Sequence, residues 1–316
     1  MKFKLIIPYY GKFPSIFDLW LKSCKNNPEI EWLLVTDIDC SEVLPLNVKR
    51  LNLTFKELKN KFEQKLGMSI SLESPYKLCD YKPLYGYLFE EYLKDFDFWG
   101  YCDMDVVWGK IFDFLPMELF RKYDKILDLG HLSFIRNDKA INENFKKYRG
   151  YLTILKKPIN YTYDEAWGGY YLGFNGELFQ SGYSIYSNRN LYADIDYHHY
   201  PFYLAKDKEK KPCVCIVEDG RVYMRNSDIT EEVMYVHFQK RKMNISGEIG
   251  KNYIAIPNEI KSVEATEEIC KIESTELDGY WDYKKEKRDV FKFIVLRFIY
   301  EEEKLKMLKY MIGKRL

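Results

Sequence analysis

The chain has 316 residues, 47% hydrophobic and 31% charged, with 49 Lys+Arg against 48 Asp+Glu for a formal charge of +1. Those proportions belong to a folded chain with one large or two ordinary cores, and they exclude the disordered, collagenous and coiled-coil classes. A charge near zero argues against nucleic acid as the partner, because phosphate contacts dominate that affinity and require a basic surface.

In chain order, residues 3–7 are a short apolar run closed by Pro8-Tyr9-Tyr10-Gly11, read as a buried strand entering a loop. Ile16, Phe17, Leu19, Trp20 and Leu21 fit one helical face, which Asn26-Asn27-Pro28 ends. Residues 31–36 form a second strand that stops at Asp37, residues 48–53 a third, and 55–66 a helix with Gly67 as its stop. A helix is expected over 82–94, then an aromatic strand over 96–101 that runs into Cys102-Asp103-Met104-Asp105. Strands alternating with helices predict an α/β domain with a mainly parallel sheet, whose ligands bind beyond the carboxyl ends of the strands. Tyr9-Tyr10, Thr36-Asp37 and Asp103/Asp105 occupy three such ends and are expected to converge.

Beyond Gly109 the spacing predicts strands over 125–129 and 132–135, a helix over 142–155, and a Gly- and aromatic-rich stretch over 163–174. A strand over 214–217 should turn at Gly220 into 222–224, and another over 233–238 ends in His237-Phe238-Gln239-Lys240-Arg241-Lys242. Residues 1–245 are read as one domain and 246–316 as an extension. Residues 289–316 carry an apolar stripe among Lys and Arg, a basic amphipathic helix that either lies on anionic lipid or packs on the domain.

The seven cysteines are scattered, with no C-x-x-C pair, as free thiols in a reducing compartment would be. No apolar run reaches the ~20 residues of a membrane span, and the first residues are too short a run for a signal peptide. A cytoplasmic protein is expected, at the inner face of the plasma membrane if the last helix binds lipid. The aromatic fraction of 17% suits stacking on sugars and bases, and AT-biased genomes also produce it.

Four D-x-D triplets occur, Asp37/Asp39, Asp95/Asp97, Asp103/Asp105 and Asp194/Asp196. Only Asp103/Asp105 follows a hydrophobic strand and precedes apolar Val106-Val107-Trp108. Two carboxylates so placed repel one another and resist desolvation unless a cation compensates them. Hard oxygens favour Mg²⁺ or Mn²⁺, and His237, before the basic Lys240-Arg241-Lys242, would tilt the choice to Mn²⁺. Metal and cations together would neutralise a leaving nucleoside diphosphate.

The opening strand with Pro8-Tyr9-Tyr10-Gly11, the run Tyr76-Lys77-Leu78-Cys79-Asp80-Tyr81-Lys82-Pro83, the run 97–105 and His237-Phe238 together resemble a family of bacterial glycosyltransferase-like proteins associated with surface-polysaccharide synthesis. More broadly they are similar to the metal-dependent GT-A glycosyltransferases, over about residues 1–243. The resemblance implies a GT-A-like sheet flanked by helices. It implies that Asp103, Asp105 and His237 hold the metal on a nucleotide-sugar diphosphate, with UDP as the expected nucleotide. Tyr9, Tyr10 and Asp37 would contact base and ribose, and Lys82 the phosphate or donor sugar, unless it is a plain surface lysine. Asp80 would orient Lys82 or bind the donor sugar, and Lys240 and Lys242 would supply charge.

Glycosyl transfer also needs the proton of the acceptor hydroxyl managed. Asp164 and Glu165 are the candidate bases of an inverting enzyme, with Trp167 available to stack on a sugar; the plain alternative is an Asp164 helix cap. A retaining enzyme would need no such base. His131, His198 and His199 are read as structural or surface residues. The function expected is transfer of a sugar from a nucleotide-sugar to a glycan or lipid-linked oligosaccharide in capsule or surface-polysaccharide synthesis. The alternatives are a metal-dependent nucleotidyl or phosphoryl transferase, although no Gly-rich phosphate loop is present, and a non-catalytic carbohydrate-binding protein.

Overall fold

The computed structural model describes residues 1–40, 42–168, 173–195 and 201–262. The first sheet begins with β1 (Phe3–Pro8), which is parallel to β2 (Ile30–Thr36) on one side and to β4 (Phe98–Cys102) on the other. β3 (Val48–Asn52) continues the parallel run beyond β2. Past β4 the sheet turns mixed: β7 (Leu132–Arg136) is antiparallel to β4 and to β6 (Lys125–Leu129), which ends against the short β8 (Ile185–Tyr186). The order is β3-β2-β1-β4-β7-β6-β8.

β1 and β2 read as near-continuous apolar runs because both faces of the sheet are covered. Alternation sends Leu5, Ile7, Trp32 and Leu34 into one core with Trp20 and Trp108, and Ile6, Leu33 and Val35 into a second with Phe62, Tyr81, Tyr85 and Trp99. Helix α1 (Phe17–Lys25) closes the first face and α2 (Phe55–Leu66) the second. Truncating a fully buried ring such as Trp32 to Ala would cost about 3–5 kcal/mol. The ends of α2 lie where local chemistry puts them. Thr54 and Glu57 form a reciprocal capping box, and Gly67 closes the helix at φ +66°, a conformation glycine adopts at little cost.

Two expected helices are broken into short pieces. The segment expected over 82–94 is a 3₁₀ helix at Pro75–Leu84, one α turn at Tyr85–Leu88 and a second 3₁₀ turn at Glu90–Tyr92. Pro83 lacks the amide that an α-helical ladder needs there. The helix expected over 142–155 is divided among Lys139–Asn142, Asn144–Lys147 and Gly150–Lys156.

The second sheet is formed by β5 (Val106–Trp108), β14 (Tyr235–His237), β9 (Tyr192–Ile195) and β10 (Phe202–Leu204), in the order β10-β9-β14-β5. The third contains β11 (Val214–Glu218), β12 (Arg221–Arg225), β13 (Thr230–Val233), β15 (Asn244–Ser246), β16 (Tyr253–Ile256) and β17 (Glu259–Ser262). The strand expected over 233–238 is thus two, β13 and β14, which belong to different sheets. β16 pairs with β11 across residue 245, so the described chain has no break at the expected boundary between 1–245 and 246–316. The described residues form a mixed α/β fold with three sheets. No described helix is long and apolar enough to cross a membrane. The amphipathic helix expected over 289–316, and His198 and His199, lie outside the described residues.

Candidate metal centre

β4 ends at Cys102, and the chain turns through Asp103-Met104-Asp105 into β5. β5 pairs with β14 in the register Val106↔His237, which sets the imidazole beside Asp105 although 132 positions separate them in sequence. β14 also runs parallel to β9, Tyr235↔Tyr192 and Val236↔Ala193, so the next step brings His237 to Asp194. Potential ligand atoms of Asp103, Asp105 and His237 lie within 4.8 Å of one another.

His237 Nε2 is 3.6 Å from Asp105 Oδ2, and Nδ1 is 3.2 Å from Asp194 Oδ1. Burial works against a charged imidazole, yet the two carboxylates outweigh it and raise the pKa of His237. Burial likewise works against ionised Asp105, but His237 and the Lys240 amide, which donates to Oδ2 at 2.5 Å, hold its carboxyl below the ordinary range. Gln239 Nε2 donates to both oxygens of Asp194 at 3.1 Å. A carboxylate behind a ligating imidazole fixes which ring nitrogen faces the ion.

Lys82 is buried rather than a surface lysine. Its ammonium lies 2.7 Å from Asp103 Oδ1 and 3.4 Å from Asp164 Oδ2, and donates to the Gly130 carbonyl at 3.1 Å. Burial opposes its charge, but Asp103, Cys79 and Asp164 more than offset that, so Lys82 stays a cation. Burial also pushes the Asp164 carboxyl up to about 7, with Lys82 pulling the other way. Glu165 Oε1 accepts from the Gly130 amide at 2.7 Å. A Cβ on Gly130 would lie 2.7 Å from Asp164 Oδ2, 2.8 Å from Glu165 Oε1 and 3.1 Å from Lys82 Nζ, so a side chain there would push these three groups from their present positions. Asp164 caps no described helix; residues 163–165 are a turn.

Other expected site residues are placed differently. Tyr9 faces the centre, with Asp105 and Asp103 as its charged neighbours. Tyr10 turns away: it packs in the second core, its ring centroid 5.1 Å from that of Phe55, and its charged neighbours are Asp37 and Glu57. Asp37 is exposed at the end of β2, so the three strand ends only partly converge. Asp80 is not an open donor site. It is wholly buried, paired with Lys77 at 2.6 Å, and accepts the amides of Tyr161 and Tyr163. Lys240 is exposed, with its ammonium 4.1 Å from the ring centroid of Tyr76. Lys242 is exposed and, among the described residues, takes part in none of the centre's ion pairs.

Sequence reasoning overlooked four participants. Asp194 was one of the discounted D-x-D triplets; only the β9–β14 pairing distinguishes it. His131, expected to be structural or exposed, lies against His237 with ring centroids 3.9 Å apart and the rings tilted by 34°. Burial, then the charge of His237, lowers its pKa to about 4, so it is neutral. Buried Lys125 is held by Asn175 Oδ1 at 2.6 Å and Tyr101 Oη at 3.2 Å, and burial lowers its pKa to about 7. Asp128 is the fourth; it accepts hydrogen bonds from three side chains.

The donor set fits a divalent cation. Two carboxylates and one imidazole offer hard and borderline ligands. Each carboxylate is anchored through one oxygen, Asp103 by Lys82 and Asp105 by the Lys240 amide, and retains a second. No curated protein matches the chain. Residues 5–264, most of the chain and nearly all of its three sheets, match a family model, and the protein belongs to that family, described as a family of unknown function (DUF6625).

Proposed function

We propose that this protein is a metal-dependent glycosyltransferase of the GT-A type, which moves a sugar from a nucleotide-sugar, UDP-linked by expectation, to a glycan acceptor of a bacterial surface polysaccharide. The observation that carries the reading is the meeting of Asp103, Asp105 and His237 where the fourth parallel strand ends. The parallel run β3-β2-β1-β4 supports it, because in such sheets ligands bind beyond the carboxyl ends of the strands. A bound Mn²⁺ or Mg²⁺ would supply charge neutralisation for the departing diphosphate.

The chain's own residues carry the remaining steps. Asp103, Asp105 and His237 would hold the ion, and Asp194 would orient the imidazole. Lys82 keeps Asp103 and Asp164 in place and adds positive charge. With a pKa near 7, Asp164 can take the proton of an acceptor hydroxyl as its oxygen bonds to the anomeric carbon and the bond to the diphosphate oxygen breaks. Lys82, paired with Asp103, and Tyr9, whose charged neighbours are Asp105 and Asp103, would face the donor's phosphates.

The test is thermal unfolding with Mn²⁺ and a panel of nucleoside diphosphates. Ligands that bind the native state raise the midpoint, so UDP or GDP should raise it only when metal is present. Asp105→Ala should abolish that rise and remain folded. An unchanged rise in the variant refutes the metal assignment, and hydrolysis of nucleoside triphosphates in preference to nucleotide-sugars would favour a nucleotidyl or phosphoryl transferase instead.

A further inference from the structure

We propose that Trp167, held by Asp128, is the floor of a pyranose-binding subsite that receives the acceptor saccharide. The word acceptor rests on the transferase reading, whereas the sugar contact can be measured without metal or nucleotide.

The pairing of β6 with β7 slips between Ile126 and Leu129, and Leu127 takes φ +67°. A left-handed leucine costs about 1–2 kcal/mol, and the strain is fixed by Ser133 Oγ, which donates to the carbonyls of Leu127 at 3.2 Å and Leu129 at 2.9 Å. Bulges re-aim neighbouring side chains. Asp128, the next residue, is 3% exposed and accepts from Trp167 Nε1 at 2.9 Å, Ser187 Oγ at 2.9 Å and Arg189 Nη2 at 3.0 Å. A tryptophan serving the core would be buried. This one is 39% exposed with its N–H tied down, so the indole is held in place while part of its ring stays open to solvent.

Phe179, 66% exposed, stands edge-on to it with centroids 6.4 Å apart. Two partly open rings offer on the order of 200 Å², far less than the ~1,000 Å² a stable protein interface requires and close to one face of a sugar ring. The Arg189 guanidinium beside them can donate to hydroxyls. An apolar floor with a donor at its rim matches a pyranose, which has an apolar C–H face and a polar edge. The place also fits. Asp128 precedes His131 by three residues, a span of at most ~11 Å. Asn175 Nδ2 ties the platform to the turn that carries Asp164 by donating to the backbone carbonyls of Asp128 and Glu165 at 3.0 and 2.9 Å.

The experiment follows the indole N–H resonance of Trp167 in ¹⁵N-labelled full-length protein, identified by its loss in Trp167→Phe. Methyl glycosides of glucose, galactose and N-acetylglucosamine are titrated to millimolar concentration, and anionic phospholipid vesicles are added separately. At least one glycoside should shift that resonance and leave the other indoles in place, and Asp128→Asn should weaken the effect several-fold. Trp167→Leu, with an unchanged melting midpoint, should bind none. The proposal is overturned if no glycoside moves the resonance, if binding survives in Trp167→Leu, or if vesicles alone perturb it. Asp105→Ala should keep the glycoside shift while losing the metal-dependent response to UDP, so the subsite and the transferase reading fail separately.

Discussion

Asp80 distinguishes a structural role from a ligand-binding one. Its side chain is fully buried, as is that of Lys77, 2.6 Å away, whose ammonium also donates to the carbonyls of Ile154 and Ile159. The carboxylate further accepts Tyr161 N at 2.9 Å and Tyr163 N at 3.0 Å, which sets the turn carrying Asp164 and Glu165. Asp80→Ala leaves a buried ammonium without its counter-charge, a loss of about 3–5 kcal/mol, and strips two buried amides of their acceptor, at ~1–3 kcal/mol each where no water replaces it. These losses overlap, so about 5 kcal/mol is expected in all, or a fall of roughly 8 °C in the melting midpoint for a chain of this size. Asp80→Asn keeps an acceptor oxygen and should lose about half as much. Urea and thermal unfolding measure both. Should Asp80→Ala unfold within about 1 kcal/mol of the wild type while nucleotide-sugar binding disappears, the buried-pair argument is wrong and Asp80 is a donor ligand after all.

Three further outcomes follow from the centre. Since the Asp164 carboxyl is raised to about 7, its basic form accumulates as pH climbs through that value; transfer should rise about tenfold per pH unit below it and level off above. Asp164→Asn should lose roughly 10²–10⁴ in rate, and persistence of the same rising limb in that variant would exclude Asp164 as the base. Lys125 has a native pKa lowered to about 7 from an ordinary 10.5, so between those values the unfolded chain holds the extra proton and stability increases with pH. Lys125→Met should flatten that increase in urea midpoints measured across the window; an identical slope in both proteins would contradict the burial argument. Gly130→Ala should leave the melting midpoint within a few degrees but weaken metal-dependent stabilisation by UDP at least several-fold, because the added methyl displaces Asp164, Glu165 and Lys82 together. A variant responding to UDP like the wild type would show that these three side chains move without consequence.

What the sequence alone determined is what short stretches decide for themselves. Apolar runs marked β1, β2 and β4, Thr54, Glu57 and Gly67 set both ends of α2, and two aspartates at the end of a hydrophobic strand marked a place where charge needs a counter-ion. Signals of that kind depend on neighbours a few residues apart. The distal His237 could be suspected, but its approach to Asp105 depends on the β5–β14 register, which is set by packing between segments more than a hundred residues apart. The same reason hid Asp194, His131 and Asp128, which have no unusual spacing and become partners only through strand pairing. It also misassigned Asp80 and Tyr10, whose local patterns suit a ligand but whose side chains the folded core encloses. Tertiary structure decided which carboxylates are buried and which cation each one faces, because desolvation and pairing act over a few ångströms in space, whatever the separation along the chain.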